Sequence, residues 1–106
     1  MKIIYISTSL SMLAKKNVCM ERIYCREAFE KGHFPFSPHL YLPQFAELEF
    51  EADARKAERL CWRMLEQSAE VWVFGPVKTK EVTETINYAK EHNIPIRYFD
   101  SHGNAI

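Results

Sequence analysis

Glycine is scarce in this sequence. There are three in 106 residues, and none falls in a GxGxxG or GxxxxGKS pattern. A loop that cradles a pyrophosphate or an ATP tail needs glycines where backbone must approach phosphate. Both readings are therefore excluded, and no cofactor is expected. Excess charge is missing too: Lys+Arg is 14 and Asp+Glu is 14, for a net charge of zero. That argues against non-specific nucleic-acid binding and against a polybasic membrane-surface module. No apolar run approaches the ~20 residues of a spanning helix. The opening stretch Lys2-Ile3-Ile4-Tyr5-Ile6-Ser7 is too short for a signal peptide and reads as a strand. The three cysteines, Cys19, Cys25 and Cys61, are odd in number and form no CxxC. They are expected to be reduced thiols in a cytoplasmic protein. His33, His39, His92 and His102 show no ligand spacing, so no metal site is expected. Nor is there a local signature of a Ser/His/Asp or Cys/His nucleophile.

What is present is an ordinary globular balance, 47% hydrophobic and 26% charged, over a length that suits one domain spanning residues 1–106. Residues 2–8 (KIIYIST) form an apolar, β-branched run typical of a strand buried on both faces. A loop over 9–14 leads to a helix over roughly 16–31, ended by Gly32, with Val18, Cys25, Ala28 and Phe29 at helical spacing and Ile23 and Tyr24 widening the stripe. His33 to Phe36 fits a short second strand. Pro38 and Pro43 then disfavour helix and predict an extended, aromatic-rich loop to Phe45. Glu47, Glu49, Glu51 and Asp53 suit a solvated loop and the first turn of a helix over about 52–68. In that helix Ala57, Leu60, Cys61, Met64 and Leu65 make the clearest amphipathic stripe in the chain. Ala69-Glu70-Val71-Trp72-Val73-Phe74-Gly75 is a strand broken at Gly75-Pro76, residues 80–92 a helix with Val82, Thr85, Ile86 and Ala89 inward, and 94–99 a last strand before a loose tail.

Strands alternating with helices predict a flavodoxin-like or Rossmann-like α/β three-layer sandwich around a parallel sheet of about four strands. Ligands of such sheets bind beyond the carboxyl ends of the strands. Three segments lie there: Ser7 to Ser11, Pro38 to Phe45, and Gly75 to Glu81.

The blocks Ile4-Tyr5-Ile6-Ser7, Tyr24-Cys25-Arg26, Gly32-His33, Pro38-His39-Leu40, Pro43-Gln44-Phe45, Val71-Trp72-Val73-Phe74-Gly75 and Ile94-Pro95-Ile96-Arg97-Tyr98-Phe99 together carry a resemblance. The chain resembles a small bacterial and phage domain of the nucleoside 2-deoxyribosyltransferase-like superfamily, over nearly its whole length. The resemblance implies a nucleoside-type pocket, with Tyr5, Ser7, His39, Gln44 and Gly75 as ligand-binding positions. It also implies N-glycosidic chemistry, in which a carboxylate on the helix after the Gly75 strand attacks the anomeric carbon and Tyr5 helps to place it. A homodimer or larger assembly is implied as well, because relatives often build the pocket across a subunit interface.

At the decisive position the sequence departs from that pattern. Gap-free register puts Thr85 where the resemblance implies the nucleophile, and Glu84 is about 100° away around the helix. Glu84 is expected on the polar side with Glu81, Tyr88 and Glu91. Glu81 falls in the first helical turn, where its charge would repel a phosphate yet admit a neutral sugar or a cationic group. The expectation is a catalytically impaired or non-catalytic protein that binds a nucleoside-like ligand or a partner protein, in the latter case as a regulator or phage-encoded inhibitor. The alternative is an active N-glycoside hydrolase or deoxyribosyltransferase that uses Glu81 or Glu84.

Overall fold

The computed structural model of the chain describes residues 1–10 and 15–106. Of the loop expected over 9–14, only Ser9 and Leu10 fall within them. Four strands, β1 (Ile3–Thr8), β2 (Phe34–Phe36), β3 (Glu70–Phe74) and β4 (Ile96–Phe99), form one sheet in the order β2-β1-β3-β4. Every pairing within it is parallel. Helix α1 (Lys15–Glu30) follows β1, α3 (Glu51–Gln67) leads into β3, and α4 (Lys80–Glu91) joins β3 to β4.

The side-chain alternation of the central strands divides the core in two. Val71 and Val73 of β3 join Tyr5 of β1 against Leu65 of α3 and Val82, Ile86 and Ala89 of α4. Trp72 and Phe74 join Ile4, Ile6 and Phe99 against Tyr24 and Ala28 of α1. Helices thus cover both faces of a parallel sheet, which is the three-layer α/β sandwich. On the α1 side the core is an aromatic stack. Tyr24 lies 4.2 Å from Phe74 and Phe74 lies 4.5 Å from Phe99, ring centre to ring centre, with planes nearly parallel.

The helix ends follow local chemistry. Gly32 takes φ +82, its N–H donates to Phe29 and that of His33 to Ala28, the paired bonds of a Schellman stop. Asn93 ends α4 in the same way at φ 57, with Ile94 N–H donating to the Ala89 carbonyl.

Three expectations are corrected. The segment after β2 is not extended: Pro38–Tyr41 forms a helical turn, α2, and Leu42–Gln44 a 3₁₀ turn. Each proline stands at the start of its turn, where its missing N–H costs nothing, and the Ser37 side chain caps α2 by accepting from Leu40 N–H. The buried stripe of α1 is Glu21, Tyr24 and Ala28, whereas Ile23 and Phe29 are exposed. The tail is tied down, because Asp100 accepts from the backbone of His102 and Asn104, the Tyr24 hydroxyl donates to the Ser101 carbonyl, and Ala105 bridges to Phe99.

Candidate functional site

The chain leaves β1 toward β2 on one side and returns to β3 on the other. The crevice at the carboxyl ends of β1 and β3 is therefore the switch point of the sheet. Ser9 Oγ accepts from Lys78 N–H at 2.9 Å, tying the segment after β1 to the segment after β3. On the α3/α4 side of this crevice lies a cavity of about 480 Å³. Tyr5 contributes from β1, Pro38 and Leu42 from the turns after β2, Glu58, Cys61 and Trp62 from α3, and Glu81, Glu84 and Thr85 from α4. The inner wall is apolar with one phenol and one thiol, and the carboxylates sit toward the mouth.

Behind the mouth is a buried hydrogen-bonded cluster around Glu21. Glu21, 2% exposed, accepts from Thr8 Oγ1 at 2.5 Å and from Ser37 Oγ at 3.0 Å, and pairs with His39 Nδ1 at 2.8 Å. Both of its oxygens are occupied, as a buried carboxylate requires. The other ring nitrogen of His39, Nε2, faces Glu81 Oε1 at 3.5 Å. That distance is at the long limit of a hydrogen bond. Burial alone would push the His39 imidazole down. The hydrogen bonds and charges of Glu21 and Glu81 outweigh it and hold the group up at about 9. His39 is therefore a cation at neutral pH, between two carboxylates.

The cavity wall itself carries no ready nucleophile on its thiol or phenol. Burial raises the Cys61 thiol to about 11, with the neighbouring Glu81 and Glu58 charges adding to the rise and Tyr5 opposing it. Burial, then Cys61 and the Glu81 charge, push the Tyr5 phenol up as well, so both stay protonated. Thr85 is 4% exposed and its hydroxyl donates to the Glu81 carbonyl at 2.9 Å, a back-bond within the helix. Glu84 pairs with Lys80 Nζ at 3.6 Å.

The structure brings Tyr5, Glu81, Glu84 and Thr85 to one cavity and places His39 behind Glu81. The expectation that Glu84 lies wholly on the polar side is corrected: it is partly buried and borders the cavity. The other three expected positions lie apart from this wall. Ser7 is buried within β1. Gln44 borders a second, apolar hollow with Phe34 and Leu60, and its amide donates to the Leu40 carbonyl. Gly75 ends β3 at φ +78, donates to the Phe99 carbonyl at 2.9 Å, and faces Ser101. Cys25 and Cys61 are half-buried, pack against the two core clusters, and border the second hollow and the main cavity respectively. Glu21 is the residue the sequence reading missed. Its one signal was a carboxylate in register with Tyr24 and Ala28 on an otherwise apolar stripe. Among the described residues no group of three or more His, Cys, Asp or Glu is placed to hold a metal ion. Among them, too, no helix is long and apolar enough to cross a membrane.

The architecture has a solved counterpart. A 2-deoxyribosyltransferase from the psychrotolerant bacterium Bacillus psychrosaccharolyticus, a biocatalyst for the synthesis of nucleosides, superposes with a TM-score of 0.70 at 15% identity. The match covers 98% of this chain and 76% of that one, and at this identity it establishes the shared fold. No curated protein matches the chain significantly. The family match runs from Lys2, just before β1, to Phe99, the last residue of β4: over residues 2–99 the chain belongs to the family described as Domain of unknown function (DUF7768).

Proposed function

We propose that this protein binds a neutral, nucleoside-like ligand in the cavity between α3 and α4, and that it cleaves the glycosidic bond poorly or not at all. The single observation that carries this reading is the pairing of Glu81 with the His39 cation at the cavity mouth. A carboxylate facing an imidazolium is a weakened nucleophile, yet at 3.5 Å and more than half exposed it remains a charged acceptor for sugar hydroxyls. It also stands in the first turn of α4, where an unoccupied helix end would favour a phosphate. The volume suits a small ligand and the apolar wall suits a base. The nucleoside class is taken from the protein whose fold this chain shares.

A second reading is favoured by one feature. Glu81 borders the cavity with Tyr5, 56% exposed along its side chain, so its carboxylate can meet a ligand. If it adds to the anomeric carbon, the bond to the base breaks with its electron pair on the base nitrogen. That nitrogen takes a proton, and water then releases the sugar.

One experiment separates the two. Purified protein, Glu81→Gln and Thr85→Glu are incubated with a panel of nucleosides and 5′-monophosphates, free base is measured by chromatography, and binding is measured by calorimetry. The expected result is nucleoside binding without base release, and a preference for nucleoside over monophosphate that narrows by about tenfold in Glu81→Gln, the scale of one nearby charge at the protein surface. Base release by the natural protein that disappears in Glu81→Gln would replace this reading with the second.

A further inference from the structure

We propose that Glu21 is a positioning residue, which through His39 holds the Glu81 carboxylate in place at the cavity mouth. The inference deepens the ligand-binding reading and rests on it for its consequence, though not for its geometry.

Burying a carboxylate in α1 is costly, and an apolar residue would pack the same stripe beside Tyr24 and Ala28 without that cost. The burial is compensated by groups from separate elements: Thr8 at the end of β1, Ser37 at the cap of α2, and His39 within α2. These bonds gather the carboxyl ends of β1 and β2 onto α1. They would do so without any involvement of α4. The imidazole adds the link. The Glu21 hydrogen bond to Nδ1 orients the ring, and that orientation turns Nε2 to Glu81 Oε1 within ion-pair reach at 3.5 Å. Glu81 has no other ion-pair partner among the described residues.

Among the described residues, groups from several packed elements face His39. Glu21 comes from α1, Thr8 from β1 at 3.4 Å, Ser37 from its own turn through Glu21, and Glu81 from α4. The nearby Cys25 thiol, raised to about 12 by burial and then by the Glu21 charge, stays neutral. Removing the Glu21 charge therefore leaves the ring with Glu81 alone, half in solvent, and burial then favours the neutral imidazole. A neutral ring no longer holds Glu81.

The test uses the whole chain and the variants Glu21→Gln, Glu21→Asp and Glu81→Gln. In ligand-free protein the His39 ring and the Glu81 carboxyl carbon are followed by NMR against pH. The titration midpoint of His39 is expected to drop by at least about one pH unit in Glu21→Gln, less in the exposed-site variant Glu81→Gln, and to be largely restored in Glu21→Asp. The Glu81 carboxyl resonance is expected to follow the His39 titration in the natural protein and to lose that dependence in Glu21→Gln. Calorimetry with 2′-deoxyadenosine and thymidine is then expected to give an affinity that is the same at pH 6 and pH 8 in the natural protein, and about tenfold weaker at pH 8 in Glu21→Gln. An unmoved His39 midpoint, or a Glu81 resonance indifferent to Glu21→Gln, overturns the proposal. Glu81→Gln keeps the test valid if Glu21→Gln fails to fold, since loss of the outer carboxylate must itself lower the His39 midpoint. If the titrations behave as expected and neither nucleoside binds, the positioning role stands and the ligand reading falls.

Discussion

His39 is buried between two carboxylates, and its protonation couples to folding. Its pKa is near 6.5 in an unfolded chain and about 9 in the folded one. Between those values the folded state holds a proton that the unfolded state has released. Stability from this group is fully present below pH 6.5 and is lost as pH rises through 9. Urea unfolding at pH 6 and pH 8, below the range where unfolded thiols ionise, is expected to show a loss of about 2 kcal/mol in the natural protein, and a much flatter profile in His39→Asn. An equally flat natural profile would count against a protonated His39. The sequence made part of this site legible. Helical spacing was enough to put Thr85 inward with Val82, Ile86 and Ala89, and the continuous apolar run of the first strand was enough to put Tyr5 in the core. Glu21 was not legible, because its partners Thr8, Ser37 and His39 lie 13, 16 and 18 residues away and meet it only when α1 docks on the sheet.

Among the elements, α4 decides what the cavity meets. Its first turn supplies Glu81 and its second Thr85, so the start of the helix sets the position of both. Thr79 caps that start, with its hydroxyl accepting from Val82 N–H at 3.3 Å. Thr79→Ala is expected to cost about 1 kcal/mol in denaturant unfolding while Thr79→Ser costs little. No difference between the two would mean that packing of Val82 and Ile86 alone fixes the helix start. Long elements with strong periodicity, such as α3 and β3, were readable from sequence to within a residue or two. The segment after β2 was not. In sequence Pro38 and Pro43 read as helix breakers, but a proline breaks a helix in its interior and opens one at its first position. Which of the two applies depends on the Ser37 cap and on the burial of His39 and Leu42, and both are set by neighbours far along the chain.

For the whole molecule, the two faces of the sheet divide the work. The α3/α4 face carries the cavity, and the α1 face is the aromatic stack that holds β3 and β4 together. Phe74→Ala would remove the ring shared by Tyr24 and Phe99 and is expected to cost about 3–5 kcal/mol in denaturant unfolding. A cost below about 1 kcal/mol would show that the stack closes over the gap. The sheet is also closed at both margins. In β2, Phe34 N–H donates inward to Lys2, so Pro35 is the residue turned outward, and it has no N–H to offer. At the opposite margin the tail lies along β4, with Ala105 bridging Phe99 and Ile106 N–H donating to Tyr98. Neither border offers a free ladder of donors and acceptors to another strand. Such a sheet resists the strand-by-strand growth that leads to fibrils, and among the described residues its outer surface is made of helices and loops rather than open strand edges.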